Sequence, residues 1–262
     1  MIEHRWELWL IGWGAAAVLL GALYLRQRRT GDATFVDSGW GTALALCALL
    51  YGLLAPGPLV QRLAICLPLG IENLRVALLV LYRHDGGEDH RYRELRRRWR
   101  EKGREQLTFA IFYEAQGLLA VALSVPALFA SFNRNDSLAP VQWAGLMLWV
   151  VSVAAEIVSD AQLTRFRRDP ANKGGVMDRG LWRYSRHPNY FFQILTWVAY
   201  ALIAVSAPFG WLSFLAAALV LYLVLFITGV PASEESSLRT RGDAYRAYQA
   251  RTSAFVPWLS KR

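Results

Sequence analysis

The stretch RYSRHPNYFFQILTWV, Arg183–Val198, runs a cationic turn straight into an aromatic and largely apolar segment. Arginine grips phosphate through two parallel hydrogen bonds. A helix starting near Asn189 aims its free N–H groups and the positive end of its dipole at the same place. Such a turn suits an anion. Just upstream, DAQLTRFRRDPANKGGVMDRGLW adds the carboxylate of Asp160, more arginines including Arg167 and Arg179, and the glycines of GG and RG, which allow close backbone approach. Asn189, Gln193 and Trp197 recur every fourth residue and share one face of a helix. Together these residues make a clamp for a phosphate-bearing cofactor. No GxGxxG follows a strand, so the clamp is not a Rossmann module.

The elements that must position these residues follow from composition. The chain has 262 residues, is 55% hydrophobic and carries a formal charge of +9. Crossing a bilayer takes about 20 apolar residues, and seven such segments are expected. They cover about 6–25, 35–54, 59–82, 107–131, 141–163, 190–207 and 209–230. The first is followed at once by Arg26, Arg28 and Arg29, which favours a retained helix over a signal peptide. Of the 29 lysines and arginines, 25 fall in the loops after segments one, three and five and in the C-terminal tail. Positive loops stay cytoplasmic, so the N-terminus is expected outside and the C-terminus inside, as an odd segment number requires. Only Arg5, Arg62 and Arg134 lie on the other side, and Arg75 is inside the third segment. The expected fold is all-α and membrane-embedded. It is one seven-helix domain over 1–262, with basic cytoplasmic loops at 84–106 and 164–189 and a C-terminal cap at 231–262. The basic excess is a topology signal first, and no nucleic-acid partner is expected. Cys47 and Cys66 have no CxxC or Cys/His company, so neither a disulfide framework nor a metal site is expected. Apolar helix faces serve lipid or a partner helix alike, which leaves the oligomeric state open.

Charges inside the membrane are costly and usually face the bundle interior. Those here are Asp37, Glu72, Arg75, Glu114, Glu156 and Asp160. Glu156 and Asp160, four apart, point the same way. Glu72 and Arg75, three apart, fit a structural ion pair as well as a binding site. Asp37 suits a pocket carboxyl, or a cap for the second segment. Glu88–Lys102, EDHRYRELRRRWREK, reads as a solvated or headgroup-lying helix, with Glu94/Arg98 and Arg97/Glu101 spaced for ion pairs. A polar cavity opening inward is the simplest arrangement for the rest.

Several segments resemble the steroid 5α-reductase family, and its bacterial membrane members in particular. They are WGTALAL, GEDHRY, SDAQLTRFRRDPANKG, DRGLWRYSRHPNYFFQ and the terminal EESSL…YRAYQARTSAFVP. The resemblance implies a seven-helix membrane fold in the bacterial inner membrane that holds NADPH from the cytoplasmic side. By position in the matching motifs it implies that Arg75, Asp160, Arg167, Asn189, Gln193 and Trp197 contact the cofactor. Arg179, Arg183, Tyr184, Arg186 and His187 are added on physical grounds, and Glu234, Glu235, Tyr245 and Tyr248 are expected to close the cap. Three positions depart from the family pattern. Gln193 stands where relatives have a carboxylate. Asp37 and Glu72 stand where mammalian members place a glutamate and a tyrosine on the substrate carbonyl.

The implied reaction is NADPH-dependent reduction of the C4=C5 bond of a 3-oxo-Δ4 steroid, with hydride arriving at C5 as charge builds on O3. A donor aimed at that oxygen stabilises the enolate-like transition state. A carboxyl in apolar surroundings keeps its proton, because burial disfavours the charged form. Asp37, with Glu72, is therefore expected to act as a neutral acid, and the steroid to enter from the lipid. Two other readings compete. Isoprenylcysteine-type methyltransferases, which use S-adenosylmethionine, share a turn like RHPNY. A non-enzymatic binder of anionic lipid would explain the arginines but not the buried acids.

Overall fold

The computed structural model describes residues 1–84 and 86–259, and within them every regular element is helical. Residue 85 of the first basic loop and residues 260–262 of the expected cap lie outside the described residues. The α-helices are α1 Arg5–Thr30, α2 Phe35–Leu54, α3 Leu59–Arg83, α4 His90–Glu101, α5 Glu105–Leu123, α6 Val125–Ala130, α7 Pro140–Arg168, α8 Pro188–Ala204, α9 Ser213–Tyr222 and α10 Val230–Arg251. Six helical stretches among the described residues are long and apolar enough to cross a membrane: α1, α2, α3, α5 with α6, α7, and Gly210–Arg251. They mark the chain as an integral membrane protein. The segment expected at 190–207 forms α8, which has 17 residues. At 1.5 Å per residue it is about 26 Å long, against a hydrocarbon core of about 30 Å.

The stretch Gly210–Arg251 is too long for one crossing. Its apolar part is α9 and a π-helical turn, Leu223–Ile227. The chain then breaks at Gly229, where a Cβ would lie 2.7 Å from the Val224 carbonyl oxygen. The polar α10 begins there and belongs to the cap.

The chain clusters into two compact units. The first comprises residues 1–142 and 203–213, the second residues 143–202 and the chain from Phe214 onward. In the first unit, small residues let helices approach closely. A Cβ on Gly12 would lie 2.7 Å from the Tyr51 hydroxyl, and one on Gly41 2.8 Å from the Asn73 carbonyl oxygen. Leu8, Leu20, Leu44, Tyr51, Ile65, Leu69, Phe109 and Leu123 fill the core between these helices. At the end where α2 finishes and α3 starts, buried amides satisfy one another. Gln142 and Asn133 donate to Gln61 Oε1 at 2.8 and 3.2 Å, and Gln61 Nε2 donates to the Ser137 carbonyl at 2.8 Å.

At the opposite end, α4 docks instead of lying free. Its outer face carries the expected Arg98–Glu94 pair, at 2.9 Å, while Arg97 also turns to Glu94 at 2.9 Å. Its inner face buries Tyr92 and sets Trp99 edge-on against Phe109, with ring centroids 4.7 Å apart. Arg96 bridges Glu88 and Glu105, at 2.7 and 2.6 Å. The sequence reading saw a solvated helix because it had no partner for that inner face.

Candidate functional site

In the second unit the polar face of α7 is built by helical spacing. Ser152 and Glu156 are buried on it, and Asp160 follows half-buried one turn on. The end of α7 organises the loop that follows. Gln162 Oε1 accepts from the Leu181 N–H at 3.0 Å, and the Ser159 carbonyl accepts from Trp182 Nε1 at 3.0 Å. Gly180 makes this approach possible. Its φ of +58° is one that side chains rarely adopt, and a Cβ there would lie 2.6 Å from Gln162 Oε1.

The loop delivers RHPNY to the start of α8, with Pro188 at its first position, where a missing N–H costs nothing. Asn189 Nδ2 then donates to Asp160 Oδ1 at 3.3 Å, joining the polar faces of α7 and α8. One turn along α8 comes half-buried Gln193, and one turn further buried Trp197, edge-on to Tyr200 at 5.5 Å. Asn189 Oδ1 is buried and accepts no hydrogen bond within the described residues. Trp149 Nε1 and Ser152 Oγ, three and four residues before the next position of the α7 face, are buried and unpartnered too. A buried polar atom without a partner is costly. Three of them on the elements that carry Asp160 and Asn189 indicate a polar guest. Trp149 and Ser152 were not singled out in the sequence, although their spacing with Glu156 and Asp160 was there to read.

The cationic turn itself is engaged differently from the sequence reading. Its anion is Glu234, on α10. Arg186 Nε and Nη2 donate to that carboxylate at 2.9 and 3.2 Å, His187 Nε2 lies 2.8 Å from it, and Tyr245 donates at 2.8 Å. Gln249 Nε2 completes the set. Burial by itself would push the Glu234 carboxyl up; the donors of His187, Arg186, Gln249 and Tyr245 outweigh it and hold Glu234 well below the usual carboxylate range. Arg186 Nη1 is spent on the Thr252 carbonyl, at 2.8 Å, and Ser185 Oγ on that of Phe255, at 2.7 Å. Tyr248 donates to the Trp182 carbonyl. Arg186 and His187 therefore fasten the cap to the turn. Arg167 lines the same small cavity as these two, about 50 Å³ in volume. That is room for a water or two, far below the ~300–1,000 Å³ of ligand pockets. Arg179 and Tyr184 bracket the short 3-10 turn Gly180–Arg183, and both side chains, like that of Arg183, are exposed.

The carboxylates of the first unit are also engaged. Glu72 and Arg75 form a two-pronged ion pair, Nε–Oε2 2.9 Å and Nη2–Oε1 2.5 Å, the structural outcome their spacing allowed. Asp37 is half-buried and accepts from Arg91 Nη2 at 2.9 Å and from the Tyr92 hydroxyl at 2.5 Å. The apolar surroundings expected for Asp37 are not what the structure builds, because GEDHRY folds back onto the start of α2. Asp89 caps α4 by accepting from the Arg91 N–H at 2.8 Å, and its own N–H donates to Thr34 Oγ1 at 2.8 Å. Tyr92 thus brings a phenolic proton to Asp37, and burial together with the Asp37 charge holds that phenol protonated well above its ordinary range. Sequence reading missed Tyr92 because it sits in a charged run.

No curated protein and no solved structure is matched by the chain. A family model matches residues 23–252, a span that holds Asp37, Tyr92, Asp160, Asn189 and Glu234 alike, and the chain belongs to that family, described as "Protein of unknown function (DUF1295)".

Proposed function

We propose that the protein is a membrane reductase of the steroid 5α-reductase type, which uses NADPH to reduce the C4=C5 bond of 3-oxo-Δ4 steroids. The observation that carries this reading is the Asp160–Asn189 hydrogen bond beside the buried, unpartnered Asn189 Oδ1. The family is associated with steroid 5α-reductase-like membrane proteins, which agrees with it. In this reading α8 is the sixth of seven crossings, the N-terminus is outside, and the arginine-rich loops face the cytoplasm of a bacterial inner membrane.

NADPH, when bound, supplies the reducing equivalent. The chain's part is to hold and orient it. Asn189 Oδ1, Ser152 Oγ and Trp149 Nε1 offer one acceptor, one group of either kind and one donor for its amide and hydroxyl groups. Arg167, Arg179 and Arg183 have the charge and exposure to meet its phosphates. Arg186 and His187 act at one remove, by holding the turn that sets Asn189. In the first unit, Tyr92 keeps its phenolic proton directed at Asp37, and the Tyr92–Asp37–Arg91 set replaces the neutral carboxylic acid as the source of a proton for the substrate. Glu72 is a positioning group for Arg75.

The test uses the purified full chain with NADPH, NADH and S-adenosylmethionine, followed by thermal unfolding, since a ligand that binds only the folded state raises its stability. Progesterone, testosterone and a non-steroidal enone are then each incubated with NADPH and the products identified. Stabilisation by NADPH with a 5α-reduced product supports the proposal. Stabilisation by S-adenosylmethionine alone replaces it with the methyltransferase reading, and binding of NADPH without reduction of any enone removes the reaction.

A further inference from the structure

Three arginines lie at the end of the first unit away from α4, and one of them donates to a helix-end carbonyl. Arg62 Nη1 donates to the Gly52 carbonyl at 2.7 Å and so caps α2. Arg5 and Arg134 have no carboxylate within ion-pair reach among the described residues. Both line one open cleft of about 690 Å³, together with Glu3, His4, Trp6 and Asn133.

Arg5 is held by aromatic rings. Its guanidinium carbon lies 5.5 Å from the centre of Phe132 and 5.7 Å from those of Phe129 and Phe209. Rings fix a cation in place while leaving its N–H groups without acceptors, and Arg5 Nε is buried with no hydrogen-bond partner. Arg134 is exposed and turned to the same cleft. Glu3 is the one carboxylate among the cleft's lining residues and pairs with neither arginine, so the two cations are left for a guest. Trp6, which lines it, and Phe209, against Arg5, stand exposed, as aromatic side chains do where a membrane meets water. Arg5 is also the first residue of α1, a membrane-crossing candidate, and the ends of a crossing helix lie near the headgroups.

We propose that this cleft binds a phosphate group held by Arg5 and Arg134, carried by a phospholipid headgroup or by a soluble phosphate ester. The cleft's lining includes none of Asp37, Tyr92, Asp160 or Asn189, so its test stands apart from the reductase reading.

The experiment uses the full chain, delipidated in detergent and titrated with phosphatidylglycerol, phosphatidylethanolamine, diacylglycerol and inorganic phosphate, with binding read by native mass spectrometry and thermal shift. Both phospholipids should bind and diacylglycerol should not. Arg134→Gln, at an exposed position where packing is unaffected, should weaken binding by roughly tenfold, the scale of one charge-assisted hydrogen bond. Arg5→Gln with Arg134→Gln should abolish it. Phospholipid binding without any effect of inorganic phosphate assigns the source to the headgroup, whereas protection by inorganic phosphate assigns a soluble ester. Diacylglycerol binding as well as the phospholipids, or Arg134→Gln binding as well as the parent protein, overturns the proposal.

Discussion

Replacing Glu234 by glutamine tests how the cap is held. The carboxylate receives hydrogen bonds from Arg186, Tyr245 and Gln249 and faces His187 Nε2 at 2.8 Å, and the Arg186 and Glu234 side chains are only 12% and 14% exposed. Glutamine keeps the shape but removes the charge and turns an amide N–H toward groups that are themselves donors. Breaking a buried pair from one side costs about 3–5 kcal/mol, and the residual exposure argues for the low end, about 3 kcal/mol. Thermal unfolding in detergent reads the stability, and limited trypsin digestion in the tail reads the cap directly. Protection of the cleavage sites at Arg246 and Arg251 should fall by about a hundredfold, since 1.4 kcal/mol is a factor of ten. The pH dependence follows in sign. Glu234 has its native value lowered from an ordinary 4.5, so its contribution is complete above that pH and is lost as pH falls through the native value. The parent protein should lose tail protection in acid, and Glu234→Gln should lack that transition. A variant within about 1 kcal/mol of the parent, with its tail equally protected, refutes the clasp.

Three further outcomes are expected. Tyr92→Phe should retain NADPH binding but lose about 10²–10³ in turnover, the scale for one preorganised donor; unchanged turnover with saturating substrate removes Tyr92 and Asp37 from the proton path. Arg167→Ala should raise the dissociation constant for NADPH more than that for NADH, measured by thermal shift, if the guanidinium meets the 2′-phosphate; equal changes remove that role. Gly180→Ala should destabilise the protein by about 1–2 kcal/mol in thermal unfolding, through its left-handed backbone and the clash with Gln162; a neutral result means that Gln162 moves aside without loss.

What the sequence made legible was local. Helices α1, α2, α3 and α7 follow from long apolar runs, and the Glu72–Arg75 pair from a three-residue spacing. Asp160 was legible as an acid inside an apolar run and Asn189 as the first residue of a polar helix face, and the structure brings the two within a hydrogen bond. Contacts between distant segments were not legible. The anion for Arg186 lies 48 residues away in sequence, and the acid that accepts the Tyr92 hydrogen bond lies 55 away. Neither distance leaves a trace in local composition. The break between α5 and α6 was hidden for another reason. Pro126 has no N–H to give the hydrogen-bond ladder, yet it does not interrupt the apolar run from 107 to 131.

The clasp also orders events during synthesis. His187 faces a group 47 residues further along the chain. At about 5–20 residues per second, roughly 2–10 seconds pass between the ribosome adding the histidine and adding its partner. During that interval α8 has its first turn but nothing to balance the charge before it. The turn that sets Asn189 is therefore among the last parts of the molecule to reach its final form, whatever the order in which the apolar helices enter the bilayer.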